Sequence, residues 1–158
     1  MVPRALQHNL NAVLSLDLDT GFDFRLAAKC EESLELLTKH EVEWLMLCPP
    51  CGPFSPLQEL WNFKRMNPWR VQQLLAEGRH FLKHAMTCAK LQVRSNRKFC
   101  FEHPARASSW EEACVQEVRA LPGVHCVTFD MCCFGLVSKV HKRPIRKRTK
   151  RTTIVKKY

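Results

Sequence analysis

Two side chains able to do covalent or acid–base chemistry stand just beyond short apolar runs. Cys51 lies in Cys48-Pro49-Pro50-Cys51-Gly52-Pro53-Phe54-Ser55, and Glu102 lies in Phe101-Glu102-His103-Pro104. A thiol on a loop is a potential nucleophile. Two prolines ahead of it fix φ and lower the entropy of placing the sulfur. Cys48 and Cys51 also form a Cys-x-x-Cys, open to zinc or redox readings. Zinc needs two more ligands, and His103, His125, Cys126, Cys132 and Cys133 fit only loosely, so no metal is expected. A redox pair opens a regular helix, which Pro53 and Pro56 oppose. His103 reads as a loop side chain rather than a base. Asp130, after another apolar run, suits either a cleft or a turn.

These residues need elements to hold them. Residues 12–18 alternate weakly and end at Asp19-Thr20-Gly21, a short strand followed by a turn. Residues 26–39 carry apolar side chains at helical spacing, and 42–47 read as a buried strand stopped by Pro49-Pro50. Pro68 opens an amphipathic helix reaching about Val93. Residues 99–101 form a second short apolar strand. Ser108 or Ser109 can cap a third helix, with Glu111 and Glu112 in its first turn, ending near Pro122-Gly123. Residues 124–129 form a third strand and 152–155 a fourth. Strands alternating with helices predict βαβ units in an open sheet, with ligands bound beyond the strands' carboxyl ends.

Composition sets the remaining bounds. At 158 residues, with 46% hydrophobic and 25% charged residues, the chain fits one globular domain. No window approaches a membrane span. Nine cysteines, an odd number, and no secretory leader point to free thiols in an intracellular compartment, nuclear in a eukaryote. The net charge of +10 is uneven: residues 139–158 hold ten Lys or Arg and no acid, while the remainder balances 15 against 15. The division read from this is a domain over 1–138 and a basic C-terminal segment over 139–158. Arg143, Arg146, Lys147, Arg148, Lys150 and Arg151 are the candidates for contacting a polyanion, and a solvated tail or import signal fits equally. Cys30, Cys88, Cys100 and Cys114 read as packed thiols, and the 131–134 segment as core. Trp61, Trp69 and Trp110 are able to stack on bases, although tryptophans beside helix starts usually pack.

The Pro-Pro-Cys loop resembles the Pro-Pro-Cys-Gln-x-Phe-Ser loop of DNA cytosine-5 methyltransferases, with Gly52 in place of Gln, and Glu102-His103-Pro104 stands where that family has Glu-Asn-Val. Nearly the whole chain is similar to the methyltransferase-like domain of some retroelement polyproteins and phages. The phrases that match are Ser15-Leu16-Asp17-Leu18-Asp19-Thr20-Gly21-Phe22-Asp23-Phe24, Pro49 through Gln58, Phe101-Glu102-His103-Pro104 with Ala107-Ser108-Ser109-Trp110, and Phe134-Gly135-Leu136. Arg146 and Arg148 stand for the arginines of the family's Gln-x-Arg-x-Arg motif, without its Gln.

The resemblance implies an α/β fold: a three-layer, Rossmann-like, S-adenosylmethionine methyltransferase-like domain with an open, mostly parallel sheet, truncated at its first strand. Cys51 would attack C6 of a flipped-out cytosine and Glu102 would hold the base at N3, where a carboxyl of raised pKa could donate the hydrogen bond. The cofactor would be S-adenosylmethionine, and the partner nucleic acid, DNA rather than RNA. Departures weigh against full activity. None of the five glycines forms a Gly-x-Gly, leaving Asp17 and Asp19, with Asp23, as cofactor-binding candidates, and no target-recognition region follows the basic phrase. The alternative is a non-catalytic mobile-element remnant that binds nucleic acid non-specifically through its basic tail. The catalytic reading requires strands 42–47 and 99–101 to be parallel neighbours, with Cys51 and Glu102 on one rim.

Overall fold

The computed structural model describes residues 14–154, which fall into two compact units, Met1–Glu43 and Trp44–Tyr158. In the first unit, Leu18–Thr20 forms a single 3-10 turn closed by Gly21 in the left-handed region at φ 85°. The expected strand over 12–18 is absent from residues 14–18, and residues 12 and 13 lie outside the described part. Asp17 is the reason: its carboxylate accepts from the Thr20 N–H at 3.1 Å and the Thr20 hydroxyl caps the Asp17 N–H at 2.9 Å, a reciprocal box that favours a helical turn. Helix α1 then spans Ala27–Lys39, as its spacing predicts.

The second unit carries an open, four-stranded mixed sheet. Strands β1 (Trp44–Leu47), β2 (Lys98–Pro104), β3 (Val124–Asp130) and β4 (Arg148–Ile154) lie in the order β1-β2-β4-β3. β1 pairs parallel to β2, and β4 runs antiparallel to both β2 and β3. Three strands therefore share one direction and the last, reversed, is inserted between two of them. Helix α2 (Pro68–Arg94) links β1 to β2. Pro68 takes its first position and the Asn67 side chain accepts from the Trp69 N–H. Its stripe of Gly78, Leu82, Ala85, Met86 and Ala89 is buried, and α2 packs on β2 and on helix α3 (Ala113–Arg119).

Three expectations need correction. The third helix begins at Ala113, preceded by a separate 3-10 turn over Ser108–Glu111, and neither serine caps it. The fourth strand starts at Arg148, four residues early, because its charges have partners across the sheet. The 131–134 segment is a 3-10 turn with no buried residue, Phe134 lying 72% exposed and edge-on to Phe129. Of the four cysteines expected to pack, Cys88 and Cys100 are buried while Cys30 and Cys114 are half-buried; none of the nine is in a disulfide.

Candidate functional site

The parallel register Leu47↔Phe101 brings the carboxyl end of β1 level with the middle of β2. One step further along, Cys48 comes beside Glu102. Glu102 lies within β2 rather than beyond it, because β2 continues along β4 to Pro104 after β1 has ended. Side chains alternate across the sheet, so Phe99, Phe101 and His103, all at most 2% exposed, share one face and Glu102 takes the other.

The Pro-Pro-Cys loop is fastened at three points. Cys51 precedes a 3-10 turn, Gly52–Phe54, and Phe54 is 2% exposed. Gly78 of α2 makes room for that turn: a Cβ there would stand 3.1 Å from the Phe54 ring and from two carbons of Pro53. The third point is His103, whose Nε2 lies 3.0 Å from the Pro49 carbonyl and Nδ1 2.7 Å from the Ser109 hydroxyl. A carbonyl only accepts, so Nε2 carries the hydrogen, and Nδ1 of the neutral ring accepts from Ser109. Burial pushes the His103 pKa below its ordinary value, which favours that neutral tautomer. His103 is thus a buried brace between β2 and the loop, not a loop side chain. The two-residue alternation Phe99, Phe101, His103 would have shown that it faces the core.

Cys48 is exposed at the strand end, yet partial desolvation and then the Glu102 charge push its pKa up to about 11. It is therefore a protonated, poor nucleophile near neutral pH. Cys51 is half-buried.

Glu102 is flanked by cations from the basic segment. Arg151, opposite it on β4, donates to Oε2 at 3.2 Å, and Lys147 lies 3.7 Å from Oε1, with the Glu102 side chain 16% exposed. The Arg151 guanidinium also stacks over Phe129 at 5.0 Å. Arg146 and Arg148 both donate to Asp130, at 3.1 and 3.2 Å, so the two arginines singled out in the sequence serve Asp130 and not Glu102. Lys150 lies over the Trp110 ring at 4.8 Å, and Trp110 is buried, donating to the Pro104 carbonyl at 2.7 Å. Sequence reading missed the Glu102 partners because only the antiparallel register of β4 reveals them.

Of the residues proposed for S-adenosylmethionine, two have local partners. Asp17 closes its own turn, Asp23 is held by Arg25 at 2.7 and 2.8 Å, and Asp19 is exposed with no described partner. The Arg25 hydrogen bonds keep the Asp23 carboxyl below its usual range. Among the described residues no three His, Cys, Asp or Glu side chains gather to hold a metal, and no helix is long and apolar enough to cross a membrane. A cavity of about 230 Å³ at Arg119, His125 and Cys126 includes none of the site residues.

No protein-family model, curated protein or solved structure matches the chain.

Proposed function

We propose that this chain is a cytosine-5 methyltransferase-like domain whose sheet is of the Rossmann-like, methyltransferase type and whose Cys51 and Glu102 handle a cytosine. What supports the reading is the parallel pairing of β1 and β2, which sets the Cys51 loop at the carboxyl end of the strand adjacent to the one that carries Glu102. Addition of the Cys51 thiolate to C6 forms an S–C bond and sends the 5,6 π pair onto C5, and through C4 onto N3. Negative charge developing at N3 is stabilised by nearby cations. Arg151 and Lys147, 3.2 and 3.7 Å from the Glu102 carboxylate, supply them. C5 then takes a proton from solvent; loss of the hydrogen originally on C5 as a proton to solvent, with expulsion of the thiolate from C6, restores the 5,6 double bond. A base inside a duplex cannot reach a loop, so the substrate is single-stranded or flipped out.

Addition and exchange need no methyl donor, so the reading is tested first at that step. Binding by a basic tail has less in its favour. Residues 148–154 form a strand between two others, and Arg146, Lys147, Arg148 and Arg151 already face acids.

The test is release of tritium from single-stranded DNA carrying cytosine labelled at C5, without a methyl donor. Wild type is expected to exchange the label, Cys51→Ser to lose exchange entirely, and Glu102→Gln to retain a small fraction. Exchange by Cys51→Ser equal to wild type defeats the reading.

A further inference from the structure

Two groups of the described cations differ in their partners. Those at 146, 147, 148 and 151 are drawn into ion pairs with Asp130 and Glu102. Lys64 and Arg65 are exposed and enter no ion pair among the described residues, and Arg70 bonds only the neutral Gln73 side chain, at 3.2 Å. These three lie in the segment 57–70, which holds a single acid, Glu59. The same segment holds out two tryptophans, Trp61 at 60% and Trp69 at 65% exposure. Isolated exposed apolar side chains are ordinary, but two indoles in one short cationic segment are not explained by packing.

The segment is also built to keep its shape. It starts at the Phe54 turn seated on Gly78, continues through helical turns at Gln58–Asn62 and Phe63–Arg65, and ends at the Asn67 cap of α2. Exposed rings among unpaired cations suit a ligand with flat apolar faces strung on an anionic backbone. A peptide supplies the charge without a regular series of faces, and a duplex buries its faces in its own stack.

We infer that residues 57–70 form a single-stranded nucleic-acid platform, on which bases stack against Trp61 and Trp69 while Lys64, Arg65 and Arg70 meet phosphates. The site is separate from Cys51 chemistry and stands whether or not that thiol reacts.

Fluorescence anisotropy of a labelled twelve-nucleotide thymidine strand with the full chain tests it. Trp61→Ala/Trp69→Ala is expected to weaken binding more than tenfold with the salt slope unchanged. Lys64→Ala/Arg65→Ala/Arg70→Ala should lower the slope of log affinity against log salt by about 2, near 0.7 per phosphate for a single strand. An abasic strand of equal charge should bind wild type at least tenfold more weakly than thymidine and the double Trp variant no differently. Both tryptophans are at the surface, so circular dichroism of that variant should match wild type. Unchanged affinity in the double Trp variant, or equal binding of thymidine and abasic strands by wild type, overturns the platform. Cys51→Ser should bind as wild type, which keeps this outcome distinct from a failure of tritium exchange.

Discussion

The loop after β1 and the strand β4 both press against β2, from opposite sides, and they are held by different forces. The loop is fixed by neutral contacts: Phe54 in the core, Pro53 against Gly78, and the His103 bond to Pro49. β4 is fixed by its backbone ladder and by cations facing Glu102 and Asp130. The loop's position should therefore depend on volume and on one histidine's protonation, and barely on salt, whereas the surroundings of Glu102 should respond to ionic strength. A nucleophile needs the first kind of support and a charged binding group tolerates the second.

The largest expected effect is on the loop side. Phe54→Ala removes a buried ring and should cost about 3–5 kcal/mol in urea unfolding, the usual range for such a truncation. Next comes Gly78→Ala. Helix propensity alone predicts a gain of about 1 kcal/mol, but the new methyl meets Pro53 and buried Phe54 at 3.1 Å, and overpacking typically costs about 1–3 kcal/mol. A net loss near 1 kcal/mol is expected; a stabilised variant would mean that the loop yields freely.

His103 gives a pH test of the same brace. Because its pKa is lowered in the folded state, the unfolded chain binds the proton more readily. Its stabilisation is complete above the ordinary histidine value of about 6.5 and is lost as pH falls through the window below it. His84, also lowered by burial, adds a loss of the same sign. His103→Leu leaves the Pro49 carbonyl and the Ser109 hydroxyl without this partner. It should cost about 1–3 kcal/mol at pH 7 and flatten the decline measured between pH 7 and pH 5. The smallest effect belongs to the exposed residues just ahead of β4. Arg146→Ala, an ion pair 69% exposed on the arginine side, should change unfolding free energy by less than about 0.5 kcal/mol.

The same contrast explains what the sequence revealed. β2 and the long α2 were legible because each buries an apolar pattern, as in the stripe from Gly78 to Ala89. β1 and β3 were legible as short apolar runs, although β1, expected to be buried, buries only Leu47 and β3 buries no residue. β4 was legible only from 152 onward, since Arg148, Lys150 and Arg151 read as solvated until Asp130, Trp110 and Glu102 are seen across from them. The strand expected at 12–18 failed at residues 14–18 because a local side-chain box at Asp17 and Thr20 competes with extended backbone. Cys51 and Glu102 were marked by their positions after apolar runs. The His103 brace was missed although the alternation Phe99, Phe101, His103 carries it, because a histidine next to a proline reads as loop until the strand is seen to run on to Pro104.

The most direct test of the shared site is covalent capture. Single-stranded DNA containing 5-azacytosine, whose C6 is open to thiol addition, would be incubated with the full chain and the adduct mapped by peptide mass. If Cys51 and Glu102 act on one base, wild type carries the adduct on Cys51, reduced at least tenfold in Glu102→Gln, with Cys48 and the exposed Cys133 left unmodified. An adduct distributed over Cys48 and Cys133 as readily as Cys51, or one on Cys51 unaffected by Glu102→Gln, would contradict a site shared by the two residues.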